Sequence, residues 1–346
     1  MSRKQRSASG RPATRRQLSR RERDRRLRRL MWIAGAVFLI LIIAVPGYAA
    51  YVEYYLPPRQ LLVRVNDTVY DMGYYVKMMR WLQAMAAAQE QEFSLAVIPF
   101  ELIQTLEENE LIRQGAPRVG ISVTAEEVSQ ELRDQLLGPP DPDEEIDEAK
   151  LETEFQERYR QLLNAIRFSD AEYRRLVEID LVRERLREHL GLQVPTVAEQ
   201  VHLQAILLTG ETGEDPEEQA KQIADRLAAG EEFSALAEEL SEDEEFREKG
   251  GDLGWLPRGI MHEQLDEVAF SLEPGIVSEL IVTSQGYFVI KVLEKAEARE
   301  IDEEPRESLK DKALADWLIE ERKANDVVRS FDSKKYEWAI EQLSQS

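Results

Sequence analysis

The sequence predicts an α+β protein in which a mainly helical domain and a small sheet domain follow one transmembrane helix. Residues 31–50, MWIAGAVFLILIIAVPGYAA, carry no charge over a length that crosses a bilayer as a helix. Residues 74–190 place apolar side chains at three- and four-residue steps, the period of amphipathic helices. Residues 201–208 and 287–293 are short apolar runs with glycine turns between them, which reads as strands of one sheet.

Charge divides the chain. Residues 1–30 hold 13 Lys and Arg against Glu22 and Asp24, a local +11, so the remaining residues carry −33 of the net −22. A basic flank before an apolar span keeps the N-terminus in the cytoplasm and exports the C-terminal side of the chain. Trp32, Tyr48, Tyr51, Tyr54 and Tyr55 lie near the two ends of the span, where amphipathic rings favour the membrane interface. A cleavable signal peptide, with Gly47–Ala49 as its small-residue site, is the alternative; the uncleaved anchor fits the long basic region better. The expected location is the cell membrane, single-pass, with the C-terminal domains extracytoplasmic. The acidic body lacks the cationic surface that nucleic acid requires, so no nucleic-acid partner is expected. The absence of cysteine rules out thiol chemistry and disulfides, and His189, His202 and His262 without thiolates make a poor metal set. Neither a metal nor another cofactor is expected.

Along the exported part, Pro57-Pro58 forms a stiff exit from the span, and residues 61–70 read as a strand and turn centred on Asn66-Asp67. Helices are expected at 74–89, from Pro99 onward, from Thr124 to Gly138, at 152–166 and at 170–190. Thr124 followed by Glu127 is a capping box. Residues 141–148 form an acidic loop or helix start, and 192–196, containing Pro195, a hinge. The sheet domain should run through a strand at 201–208, helices at 216–229 and 233–240, glycine turns at Gly250, Gly251 and Gly254, a helix at 263–270 and a closing strand at 287–293. Helices at 307–324 and 335–343 complete the chain. Met72, Met78, Met79 and Met85 suit either core positions or an adaptable client surface, with helical spacing favouring core.

KGGDLGWLPRGIMHEQLDEVAF at 249–270 and SQGYFVIKV at 284–292 resemble the signature of the parvulin (PpiC, rotamase) peptidyl-prolyl cis-trans isomerases. VNDTVYDMGYY at 65–75, ELIQTLEENELIRQGAPRVGISVTAEEV from Glu101 and WLIEERKANDVV from Trp317 are similar, in this order, to segments of SurA/PrsA-type exported foldases. The resemblance implies a basic cytoplasmic tail at 1–30, the anchor at 31–50 and a SurA-N-like helical chaperone domain at 60–195. It further implies a parvulin domain at 199–297, a four-stranded antiparallel sheet flanked by helices, and C-terminal helices at 303–343 that pack on the N-terminal domain. It also implies isomerase activity toward X-Pro segments of unfolded or nascent exported polypeptides.

Rotation about a prolyl bond breaks no covalent bond, so the chemistry needs an apolar clamp and surroundings that favour the twisted amide. The resemblance places the proline pocket on Leu253, Met261, Leu265, Phe270 and Phe288, with Leu265 standing where the family usually has phenylalanine. It places Asp243 near the substrate carbonyl as the catalytic candidate. Among Glu242, Glu244 and Glu245, Asp243 reads equally as part of a solvated acidic loop. Two family histidines are replaced, by Ala205 and by Phe288. His202 has the wrong strand parity to substitute for the first, while His262 reads as a helix-start residue and His189 as a helix-end residue. The alternative function is therefore a weak or inactive parvulin-like chaperone, a holdase, or an assembly scaffold dedicated to one envelope complex.

Overall fold

The structure is a computed structural model in which residues 31–32, 42, 44–138, 148–210, 213 and 215–344 are described. The basic tail at 1–30, residues 33–41 and 43 of the expected anchor, and residues 141–147 of the acidic stretch lie outside these. No helix among the described residues is long and apolar enough to cross a membrane. The chain divides into two compact units: the described part of Met1–Arg64 with Val69–Leu102 and Arg329–Ser346, and Val65–Thr68 with Ile103–Val328.

The elements begin with β1 (Leu61–Val65), β2 (Thr68–Asp71), α1 (Met72–Ala88), α2 (Ile98–Gly115), α3 (Ala125–Leu137), α4 (Glu148–Ile166) and α5 (Asp170–Gly191). They continue with β3 (Val197–Leu208), α6 (Pro216–Ala228), α7 (Phe233–Leu240), α8 (Glu244–Glu248), β4 (Asp252–Pro257), α9 (Glu263–Ser271), β5 (Ile281–Val282) and β6 (Tyr287–Glu300). The last are α10 (Glu303–Ala324), β7 (Val327–Arg329) and α11 (Ser333–Ser344).

In the first unit α1 starts where Asp71 accepts a hydrogen bond from the Tyr74 N–H at 2.8 Å, relieving one of the unpaired amides of a helix N-terminus. Met72, Met78 and Met79 are buried and therefore core, whereas Met85 is exposed. α11 packs on α1, and Arg80 Nη2 donates to the Gln342 carbonyl at 2.8 Å.

In the second unit α3, α4 and α5 share a core of Val128, Leu132, Phe155, Tyr159 and Val177. The Thr124–Glu127 capping box is present: the Thr124 N–H donates to Glu127 at 2.8 Å and the Glu127 N–H to Thr124 Oγ1 at 3.3 Å. Arg185 adds a charge-assisted pair, and these contacts hold the Glu127 carboxyl at about 2. Thr124→Ala is expected to lower the unfolding free energy by about 1 kcal/mol, measured by denaturant titration. α10 lies along α5, where Arg187 pairs with Glu307 at 2.8 Å and Asp311 at 2.5 Å, and Lys310 with Glu188 at 2.8 Å.

The sheet of this unit has the antiparallel order β4-β3-β6-β5. Alternation along β3 sends Val201, Leu203 and Ala205 to one face, against α9, and Ile206 and Leu208 to the other, against α6 and α7. Three features differ from the sequence reading. Residues 244–248 form a helix, and 252–257 form a strand, because Gly251 and Gly254 bend the chain without ending its pairing to β3. β6 runs on to Glu300 rather than stopping near 293, pairing with β3 as far as Val197↔Glu300. Its outer part, EKAEARE, is a partly exposed ribbon without the apolar alternation that marks a buried strand.

Candidate functional site

One face of the β3–β6 pair forms the floor of a cavity of about 530 Å³. Leu203 and Ala205 come from β3, and Phe288 and Ile290 from β6. All four are nearly or fully buried. Ala205 is paired with Ile290, and Leu207 with Phe288. Ala205 and Phe288 are therefore diagonal neighbours on one face, close enough for side chains at the two positions to act together. The walls come from Leu253 of β4, from Gly259, Ile260 and Met261, and from Leu265 of α9. Phe246 of α8 closes another side, its ring 6.4 Å from that of Phe288.

Polar groups lie at the rim. Gln285, Glu263, Ser308 and Lys312 are exposed, and His262 is half-buried. Ser308 and Lys312 belong to α10, which comes after the sheet in the chain. The centre of the cavity thus offers apolar contact and no imidazole, thiol or carboxylate. Such a cleft has the chemistry to accommodate an apolar ring and presents no nucleophile at its floor.

Leu253, Met261, Leu265 and Phe288 are brought together at this cavity, with Ala205 beside them. Phe270 belongs to the same core cluster but does not line the cavity; Arg258 lies over its ring at 4.0 Å. Asp243 also lies off the lining. It caps α8, Oδ1 accepting from the Phe246 N–H at 2.9 Å. His202 meets Asp252 at 2.8 Å and the Trp255 ring, apart from the Ala205 face, as its parity implies. His262 is the residue before α9, and His189 lies in the last turn of α5.

Sequence reasoning missed Phe246, Ser308 and Lys312. Phe246 is the one aromatic residue in an acidic run, a usable signal, whereas nothing in the α10 sequence points to a cavity. It also missed Asp266, 8% exposed on α9 and facing the Gly259 N–H. Burial pushes the Asp266 carboxyl up, opposed by that N–H and by Arg258 and Lys312, and Glu199 adds to the rise.

Residues 191–296 match the family described as the PPIC-type PPIASE domain. The chain carries a parvulin-type isomerase domain. The cavity lies on this parvulin domain, with α10 reaching it from outside the matched residues. Foldase protein PrsA 4 of Bacillus cereus is 35% identical over 121 residues, 34% of this chain and 43% of that protein, so the alignment spans less than half of that relative. Foldase protein PrsA 2 of Bacillus cereus is 24% identical over 261 residues, 72% of this chain and 90% of that protein. Among solved structures, peptidylprolyl isomerase (PrsA) from Bacillus anthracis aligns at 20% identity with a TM-score of 0.40, over 71% of this chain and 96% of that one.

Proposed function

We propose that this protein is a membrane-anchored extracytoplasmic foldase whose parvulin domain holds X-Pro segments of unfolded exported polypeptides and isomerises them slowly. The observation that carries this reading is the apolar cavity floored by Ala205 and Phe288 inside a parvulin-type domain. Leu253, Met261, Leu265 and Phe288 grip the proline ring, and Phe270 supports the floor from behind. Transition-state stabilisation comes from stripping water from the amide, which disfavours its charge-separated planar form. Asp243 contributes its negative field near the substrate carbonyl while capping α8. The span at 31–50 anchors the chain with residues 1–30 inside. Residues 60–195 and 303–343 are assigned to the chaperone part and 199–297 to the parvulin domain. The curated relatives named as foldases support the class of clients.

A proline-peptide isomerisation assay on the wild type and on the Ala205→His/Phe288→His double variant tests the catalytic half. Wild type is expected to accelerate the reaction measurably, and the double variant to raise kcat/KM by roughly tenfold, about 1.4 kcal/mol of barrier. Equal rates would show that imidazoles contribute nothing here. No acceleration by the wild type would leave the second reading, a non-catalytic holdase, which the absence of any polar group at the cavity floor favours. That reading requires suppression of aggregation of a proline-free client.

A further inference from the structure

We propose that Asp266 is a positioning residue that sets the cavity wall by clamping the turn from Arg258 to His262. The inference rests on the reading of the cavity as a proline-peptide site. Both carboxylate oxygens face the Gly259 N–H, at 3.1 and 3.0 Å. Gly259 has φ +93°, and with Ile260 and Met261 it forms one wall of the cavity. The Gly259 amide lies outside any strand, and the carboxylate supplies its acceptor.

A buried carboxylate is costly unless its lone pairs are used. Among the described residues no Lys or Arg forms a salt bridge with Asp266, so ion pairing does not account for it there. Arg258 instead lies over the Phe270 ring and pairs with Glu199 at 3.2 Å. The turn is thereby fixed at Arg258 by the ring, at Gly259 by Asp266, and at Met261 by the core cluster. Arg258 is also tied to Glu199, but only the middle tie takes a side-chain acceptor to the turn's own backbone, and the Asp266 N–H donates to the His262 carbonyl at 2.9 Å, so Asp266 brackets the segment that carries Ile260 and Met261. β3 and β6 do not depend on it, since their pairing runs through eleven register partners. Loss of the clamp should displace a wall of the cavity and leave its floor intact.

The test uses the full chain with Asp266→Leu, Asp266→Asn and wild type. Asparagine keeps an oxygen for Gly259, whereas leucine keeps the volume and removes the acceptor. Three quantities are read: affinity for a fluorescent Ala-Leu-Pro-Phe peptide, amide hydrogen exchange, and thermal unfolding. Asp266→Leu is expected to weaken peptide binding by ~10-fold and to speed exchange at 258–262 but not at 201–208, a loss of about 1.4 kcal/mol in affinity. Asp266→Asn is expected to stay near wild type in both. Wild-type affinity in the leucine variant, equal impairment in the asparagine variant, or exchange accelerated throughout β3 would each overturn the proposal. If the wild type binds no peptide but the exchange pattern is as expected, the clamp stands and the proline-site reading fails.

Discussion

Gly251→Ala is expected to be the most damaging single-methyl change in the parvulin domain, costing ~3 kcal/mol or more when the backbone and steric terms are taken together. Gly251 sits at φ +77°, and an added Cβ would lie 2.6 Å from the Ala205 carbonyl oxygen and 3.0 Å from the Ala237 Cβ. The left-handed conformation alone costs a non-glycine residue about 1–2 kcal/mol. The clash adds to this because it falls on backbone, which cannot swing aside as a long side chain can. Relief requires β4 to move from β3, stretching the 2.9 Å hydrogen bond from the Ala205 N–H to the Gly251 carbonyl. Gly254 is the internal control, with φ +68° and nothing within 4 Å of an added Cβ. Gly254→Ala should therefore lose only the conformational term, about 1–2 kcal/mol. Hydrogen exchange at the β3 amides distinguishes the two, with Gly251→Ala accelerating exchange at Ala205 far more than Gly254→Ala. Equal effects would mean that close approach to β3 contributes nothing.

The same glycine explains how the domain was legible in the sequence and where the reading stopped. Gly250 and Gly251 carry positive φ, and glycine pairs of this kind announce a turn. They do not announce that the chain pairs with β3 immediately afterwards, so β4 went unread. Helices with strong local signals were readable: the Thr124 box starts α3, and the amphipathic stretch expected at 216–229 is α6. α8 was hidden because EEFRE has five residues and one apolar side chain, too short for any period to register. The cavity was readable where its lining residues fall within one short stretch of sequence that carries the family resemblance, as with Leu253, Met261 and Leu265. It was unreadable at Ser308 and Lys312, whose approach depends on α10 lying along α5 through Arg187 and Lys310. Asp266 was missed for a different reason: a carboxylate among EQLDEVAF looks like the solvated face of a helix, and only the turn folded above it makes it buried.

Removing the Glu110 carboxylate is expected to cost about 2–3 kcal/mol at neutral pH, because it takes a charged acceptor from Gln114 and from a partly exposed Arg113. Glu110 is fully buried on α2. It accepts from Arg113 Nε at 2.8 Å and Nη2 at 2.5 Å, and from Gln114 Nε2 at 2.6 Å. Burial alone would raise its carboxyl, but these donors and Thr68 outweigh it and bring the group from its ordinary 4.5 to about 2. A carboxyl lowered in the folded state stabilises the fold above its unfolded value and loses that contribution as pH falls through the folded one. Wild type should thus lose stability from about pH 4.5 down to pH 2, and Glu110→Gln should lose much less across that window. The two unfolding curves are expected to differ most at pH 7 and to converge near pH 2; a gap independent of pH would mean that the charge is not what holds the site. The position matters because Gln114 also receives a hydrogen bond from Asn66, which reaches Asn325 at 2.8 Å just beyond α10. Glu107, three residues earlier on α2, pairs with Arg322 of α10 at 3.1 Å. One helix face therefore ties down the end of α10 through two buried carboxylates. Since α10 carries Ser308 and Lys312 to the cavity rim, protonation of Glu110 should loosen that rim before it disturbs the floor of Leu203, Ala205, Phe288 and Ile290, none of which titrates.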